Sequence, residues 1–233
     1  MALTNRTLVI MAKAPRAGVV KTRLAVNLSP QQATELYTCL LSDTIALGQT
    51  LRNVVISIMC PELDVEALSH AITQSVPIVA QTGAGLAAGL TSVFEQFAKS
   101  GHQRVIAFNS DSPHLPASIL ENAFDALESR DLVVGPTHDG GYYLVGAKAN
   151  HPALFEDGGM GTTNALDALM MRARKLQLSA SFTDPFYDVD VASDLARLAA
   201  ELQLAPTRAP RTAALLNEWT RSGTHMRTGL GKS

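Results

Sequence analysis

Lys13, Arg16, Lys21 and Arg23 fall within fourteen residues, MAKAPRAGVVKTRL (residues 11–24), around Pro15 and Gly18 and with no acid among them. Four like charges in one loop repel unless an anion lies between them. A phosphate is suited to such a place, since backbone N–H groups of a turn and reaching cations can bind its oxygens together. Lys21-Thr22 matches the end of a Walker A loop, but Val20 stands where G-x-x-x-x-G-K-[ST] requires Gly, so that reading fails. The plainer alternative is a solvated basic turn.

Acids of complementary chemistry lie far along the chain. In Phe108-Asn-Ser-Asp-Ser-Pro113, Asp111 follows an apolar run and precedes a Pro. It reads either as an Asx-turn acid or as a carboxylate ligand for Mg²⁺ or Mn²⁺, whose shells are completed by water and phosphates. In Pro185-Phe-Tyr-Asp-Val-Asp190, Asp188 and Asp190 are two residues apart, so both carboxylates of an extended segment point to one side. Their repulsion would be relieved by a divalent cation; alternatively, Asp190 is the N-cap of the helix that follows. Asp139-Gly140-Gly141-Tyr142 is a hairpin signal whose adjacent glycines let a backbone approach a ligand. Tyr142 and Tyr143 face opposite sides of the strand it opens. Gly83-Ala84-Gly85-Leu86 lacks dinucleotide-fingerprint spacing but could set a helix N-terminus against an anion.

These residues need elements to hold them. Runs rich in Val, Ile and Tyr predict strands at 8–12, 54–59, 77–81, 104–109, 131–136 and 141–146. Ser29-Pro30-Gln31-Gln32 opens a helix with a capping box and Pro at its first position. Further helices are expected over 86–100 (closed by Gly101), 117–129, within 160–178, over 191–204 and over 212–221. Strand–helix alternation predicts an α/β chain, a three-layer α/β/α arrangement around a mostly parallel mixed sheet, with an antiparallel excursion at Gly140-Gly141. Ligands of such sheets sit beyond the carboxyl ends of the strands, where the unusual residues above concentrate. Residues 1–222 read as one domain and 223–233 as a disordered tail.

Composition limits the partners. Of 233 residues, 46% are hydrophobic, and the formal net charge of −2 argues against a protein that coats nucleic acid. No stretch approaches the roughly 20 apolar residues of a membrane span, and residues 7–10 read as part of a first strand, not a leader. The two cysteines, Cys39 and Cys60, lack metal-ligand spacing and are expected as thiols in a cytoplasmic protein.

The ordered set resembles the nucleotide-diphospho-sugar transferase superfamily, the glycosyltransferase A (GT-A) type of fold. That fold also hosts nucleotidyltransferases such as 2-phospholactate and molybdenum cofactor guanylyltransferases. Four segments are similar to those of the bacterial DUF2064 family: residues 13–24 (K-x-P-x-x-G-x-x-K-T-R-L), 109–115 (G-T-D-x-P-x-L), 139–146 (D-G-G-Y-Y-L-x-G) and 187–195 (Y-D-[IV]-D-T-x-x-D-L). Asn109 and Ser110 replace the usual Gly-Thr, and Val191 replaces the Thr. The resemblance implies a nucleotide, either an NTP or an NDP-sugar, bound by Ala12, Lys13, Gly18, Lys21, Arg23, Gly83, Gly85 and Leu86. Lys21, Arg23 and Asp111 would act in catalysis, and Mg²⁺ or Mn²⁺ would sit on Asp111 with Asp190 or Asp188. Asp139, Gly140, Gly141 and Tyr142 would face a small-molecule acceptor. The expected reaction is nucleotidyl transfer with release of pyrophosphate. Glycosyl transfer from an NDP-sugar is the alternative, and a non-catalytic nucleotide sensor is the rival of another class; a homodimer is left open.

Overall fold

The structure, a computed structural model, describes residues 5–156 and 164–222. Seven strands form one sheet: β1 (Arg6–Met11), β2 (Val54–Cys60), β3 (Ile78–Ala80), β4 (Arg104–Asn109), β5 (Leu132–Pro136), β6 (Tyr142–Ala147) and β7 (Ala180–Phe182). The helices are α1 (Pro30–Gln49), α2 (Val65–Ala71), α3 (Gly85–Lys99), α4 (Ala117–Ser129), α5 (Ala165–Lys175), α6 (Ala192–Leu204) and α7 (Pro210–Arg221). The sheet order is β3-β2-β1-β4-β6-β5-β7. β6 runs antiparallel to β4 and β5, which is the expected excursion, and every other pair is parallel. The tail at 223–233 lies outside the described residues.

Alternation along the strands feeds two cores. Val9, Met59, Val105, Val134 and Val145 point to one face and pack with Val93 and Phe94 of α3 and Leu169 of α5. Leu8, Ile106, Phe108 and Val133 point to the other, against Leu120, Phe124 and Leu127 of α4. On that same side Ile10 and Ile58 meet Tyr37, Leu41 and Ile45 of α1 and Leu68 of α2. α6 and α7 stack outside α1 through Leu195, Leu198, Leu216 and Trp219. The result is the three-layer α/β/α arrangement. Tyr142 and Tyr143 take opposite faces, as the two-residue strand period requires. A Cβ at Gly135 would lie 2.5 Å from the Tyr143 ring, so only Gly allows that ring to lie across β5.

Local signals account for most boundaries. Ser29 Oγ accepts from Gln32 N–H while the Gln32 side chain accepts from Ser29 N–H, the expected capping box. Gly101 follows α3 at φ +82, a left-handed conformation suited to Gly. Two elements escape the sequence signals: the seven-residue α2 and the three-residue edge strand β7. Cys39 and Cys60 are free thiols. No helix among the described residues is long and apolar enough to cross a membrane.

The chain leaves β1 toward β2 and β3, then returns through α3 to β4 on the other side of β1. The parallel strands β1 and β4 therefore flank a topological switch point, where open α/β sheets leave a crevice at their carboxyl ends.

Candidate functional site

A groove of about 510 Å³ occupies that crevice. The loop after β1 contributes Ala12, Lys13, Lys21 and Arg23, the loop after β4 contributes Ser110 and Asp111, and Asp190 enters from the segment before α6. Residues 90 to 169 positions apart in sequence thus share one cleft, counting from Lys21 to Asp111 (111 − 21) and to Asp190 (190 − 21).

Lys21 is the centre of the arrangement. Its Nζ lies 3.0 Å from Asp111 Oδ2 and 3.0 Å from Asp190 Oδ1, with the side chain only 3% exposed. Its backbone is left-handed, φ 52 and ψ 38. For a residue with a Cβ that conformation costs about 1–2 kcal/mol, and such strain concentrates at functional sites. Burial disfavours the ammonium, but the two carboxylates outweigh it and hold its pKa above the ordinary lysine value. Arg23 Nη1 is 3.6 Å from Asp190 Oδ2 and mostly exposed, free to reach a ligand.

The Asp190 carboxylate is available because another acid closes the helix. Asp194 accepts from the N–H groups of Asp190 (3.0 Å) and Val191 (2.9 Å), so Val191 and not Asp190 stands at the N-cap of α6. The capping alternative for Asp190 is thereby corrected. Between Asp188 and Asp190, Val189 is buried. Burial first, then the negative charges of Asp190 and Asp111, push Asp188 up to about 6. Asp188 does not line the groove, so it adds to the negative field rather than to the wall.

The remaining loop cation has a structural partner. Asp64, buried at the start of α2, accepts from Ala14 N–H at 2.9 Å and from Arg16 Nη1, while Arg16 Nη2 donates to the Leu63 carbonyl at 2.9 Å. Arg16 therefore braces the loop instead of facing the groove. Asp64→Ala should lower stability by about 2 kcal/mol, because it strands a buried N–H and a guanidinium; urea denaturation monitored by circular dichroism measures this.

Tyr37 is a site residue that no sequence signal reveals, since it sits inside α1 among apolar neighbours. Its hydroxyl accepts from Lys13 N–H (3.0 Å) and lies 3.2 Å from Ser110 Oγ, which in turn donates to Asp111 Oδ1 at 3.3 Å. One buried phenol thus ties the basic loop to the acid-bearing loop. Its pKa rises to about 12, chiefly through burial, so it stays protonated and can donate. Gln81 is a second such residue. Its Nε2 donates to the Gly83 and Gly85 carbonyls at 2.9 and 3.2 Å, fixing the glycine turn. Gly83 and Gly85 have φ +81 and +86, and Gly85 and Leu86 line the groove.

Several expected positions stand apart. Gly18, at φ +77, shapes the basic loop but does not line the groove, and neither does Gly83. Asp139, Gly140, Gly141 and Tyr142 are not in its wall either. Asp139 Oδ1 instead accepts from Thr137 Oγ1 at 2.5 Å and from Gly141 N–H at 3.3 Å, an Asx turn that builds the hairpin with Gly140 at φ +87. Tyr142 packs against the α3 and α5 core.

Behind the acids, His114 is fully buried between the rings of Phe186 and Tyr187, at centroid distances of 4.8 and 4.6 Å. Among the described residues neither ring nitrogen has a hydrogen-bond partner. Burial, then Arg208 and Arg197, push its pKa down to about 3, so its 3.9 Å approach to Glu201 is not an ion pair near neutrality. Ser112 Oγ donates to the Tyr187 carbonyl at 2.9 Å, and Val189 N–H to the Asp111 carbonyl at 3.2 Å, locking the two acid-bearing segments together. The unfolded chain binds a proton at His114 near pH 6.5, the folded chain only near 3. This contribution to stability is therefore full above about pH 6.5 and lost as pH falls toward 3. His114→Phe should flatten that part of the curve of melting temperature against pH, read by scanning calorimetry at several pH values.

The seven-stranded sheet with a cation–carboxylate groove at its switch point defines a nucleotide-diphospho-sugar transferase fold. A solved structure from Desulfovibrio desulfuricans G20, described as a "putative nucleotide-diphospho-sugar transferase", is similar with a TM-score of 0.85 and 25% identity, covering 94% of this chain and 96% of that one. Within that class the chain belongs to DUF2064, described as "uncharacterized protein conserved in bacteria", whose profile matches residues 44–162. A phosphoenolpyruvate guanylyltransferase from Sphaerobacter thermophilus is 26% identical over 195 residues, 83% of this chain and 93% of that protein. Rv0371c from Mycobacterium tuberculosis H37Rv, solved as a complex with manganese, shares the fold at a TM-score of 0.52 and 14% identity, covering 82% of this chain and 96% of that one.

Proposed function

We propose that the protein is a metal-dependent nucleotidyltransferase that joins a nucleoside triphosphate to a phosphorylated or otherwise anionic small-molecule acceptor. The observation that carries this reading is the convergence of Lys13, Lys21 and Arg23 with Asp111 and Asp190 in one groove. The phosphoenolpyruvate guanylyltransferase relative makes GTP and phosphoenolpyruvate the first pair to test.

The donor set fits a hard divalent cation. Asp111 and Asp190 offer carboxylate oxygens, and the nearby Asp188 carries a raised pKa that an added positive charge would relieve. Among the described residues no group of three or more His, Cys, Asp or Glu is arranged for a metal, so phosphate and water would supply the rest of the shell, as Mg²⁺ prefers. When bound there, such an ion supplies charge neutralisation to the triphosphate.

The chain's own residues do the positioning. Lys13, Lys21 and Arg23 orient the triphosphate and stabilise charge as it develops on the departing group. An acceptor oxyanion forms a bond to the α-phosphorus while the bond from that phosphorus to its bridging oxygen breaks; the electron pair leaves with pyrophosphate. An acceptor that is already an anion needs no general base. The Asp139–Tyr142 hairpin would face the acceptor; the Thr137 hydroxyl chiefly, and Arg23 more weakly, hold the Asp139 carboxyl below its ordinary pKa.

A second reading, transfer of a sugar from an NDP-sugar, is favoured by the Desulfovibrio neighbour. Titration calorimetry with Mg²⁺ separates the two. Binding of an NTP, with NDP-sugars bound much more weakly, supports nucleotidyl transfer. Binding of NDP-sugars and no NTP overturns it.

A further inference from the structure

The four oxygens of the acid pair are already spoken for by protein donors. Asp111 Oδ1 accepts from Ser110 Oγ at 3.3 Å and Asp111 Oδ2 faces Lys21 Nζ at 3.0 Å. Asp190 Oδ1 faces the same Nζ at 3.0 Å, and Asp190 Oδ2 faces Arg23 Nη1 at 3.6 Å. The Lys21 ammonium thus sits between the two carboxylates, where a divalent cation shared by them would have to sit. Its side chain is 3% exposed, touches both carboxylates and stands on a left-handed backbone, so this is a built contact and not a surface lysine at rest.

We propose that Lys21 is the resident counter-ion of the Asp111–Asp190 pair, and that metal and nucleotide enter together by exchanging ion partners with it. The inference rests on the reading of those two acids as the metal-holding pair. A cation alone must dislodge a buried ammonium that then has no anion to meet, and uncompensated buried charge is expensive. A triphosphate arriving with the cation gives Lys21 and Arg23 new oxygens as the carboxylates are handed over. The site therefore discriminates against free metal and against free nucleotide. Linkage makes the coupling reciprocal: nucleotide tightens metal by the same factor as metal tightens nucleotide. Affinity for metal alone is reduced by the small fraction of molecules in which the acids are free.

Binding of Mn²⁺ alone, followed by loss of the free-ion electron paramagnetic resonance signal, tests this in the full chain. Lys21→Met should bind Mn²⁺ about tenfold or more tightly than the wild type, and adding Asp190→Asn should abolish the gain. If Lys21→Met binds no more tightly while Asp111→Asn still weakens the wild-type affinity, the acids hold the metal but Lys21 is not its placeholder. If no variant takes up Mn²⁺, the metal-site reading and the exchange both fall. Should Lys21→Met not fold, wild-type crystals soaked in Mn²⁺ together with a non-hydrolysable GTP analogue decide the matter. Lys21 Nζ withdrawn from the carboxylates, with the ion between them, supports the exchange. Nζ still on both carboxylates, with the ion elsewhere, overturns it.

Discussion

Asp111→Asn should lower the rate of nucleotidyl transfer by about a thousandfold while the protein stays folded. Asp111 is the groove acid that follows β4 directly, and its backbone is pinned by Val189 N–H donating to its carbonyl at 3.2 Å. Asn keeps that backbone bond and nearly the same volume, but it removes the negative charge that would hold a cation against the phosphates. Lys21 retains Asp190 at 3.0 Å, so its ammonium is not left without a partner. The expected pattern is a fall in kcat and in kcat/KM together, the signature of an interaction made mainly in the transition state. Circular dichroism and the melting temperature should change little. A variant with more than about a tenth of wild-type kcat would place the chemistry elsewhere.

Asp43→Ala should lower stability by about 3 kcal/mol, a drop of about 10 °C in melting temperature for a chain of this size. Asp43 lies in the middle of α1 with its side chain fully buried. It accepts from Thr212 N–H and Thr212 Oγ1, both at 2.8 Å, and from Arg211 N–H at 3.2 Å. These are first-turn donors of α7, whose N-cap, Ala209, has no side chain able to accept them. One helix thus supplies the cap of another, and the carboxylate also meets the positive end of the α7 dipole. Truncation leaves several buried donors unpaired together. Asp43→Asn, which keeps one oxygen acceptor, should fall between the two. Thermal unfolding measures all three proteins, and a shift under about 2 °C for Asp43→Ala would contradict the assignment.

Elements with strong local signals were legible in the sequence. β4 at 104–109 and α4 at 117–129 have the bounds that their apolar pattern and Pro116 predict. Ser29 and Gln32 close their capping box because both partners lie within one turn. α2 and β7 were not legible: seven and three residues are too short to display a period, and β7 exists only because β5 offers it an edge. The clustering of Lys13, Lys21, Arg23, Asp111 and Asp190 was implied by the family resemblance and by the rule that ligands gather beyond the carboxyl ends of the strands, while the strand order itself was not legible. What each charge does was less legible, since its partner is distant along the chain. Arg16 looks like a phosphate cation until Asp64, 48 residues on, binds it. Asp190 looks like a helix cap until Asp194 takes that work. Tyr37 carries no motif at all, because its role appears only when α1 lies against the ends of β1 and β4.

The most direct measurement of the central claim follows the α-phosphate itself. The protein is incubated with Mg²⁺, α-³²P-labelled GTP and phosphoenolpyruvate, then with other triphosphates and phosphorylated acceptors. Label is expected on an acceptor with one pyrophosphate released per transfer, and both are expected to be lost with Asp111→Asn. Sugar transfer from an NDP-sugar, with no label moved from any triphosphate, would contradict the claim.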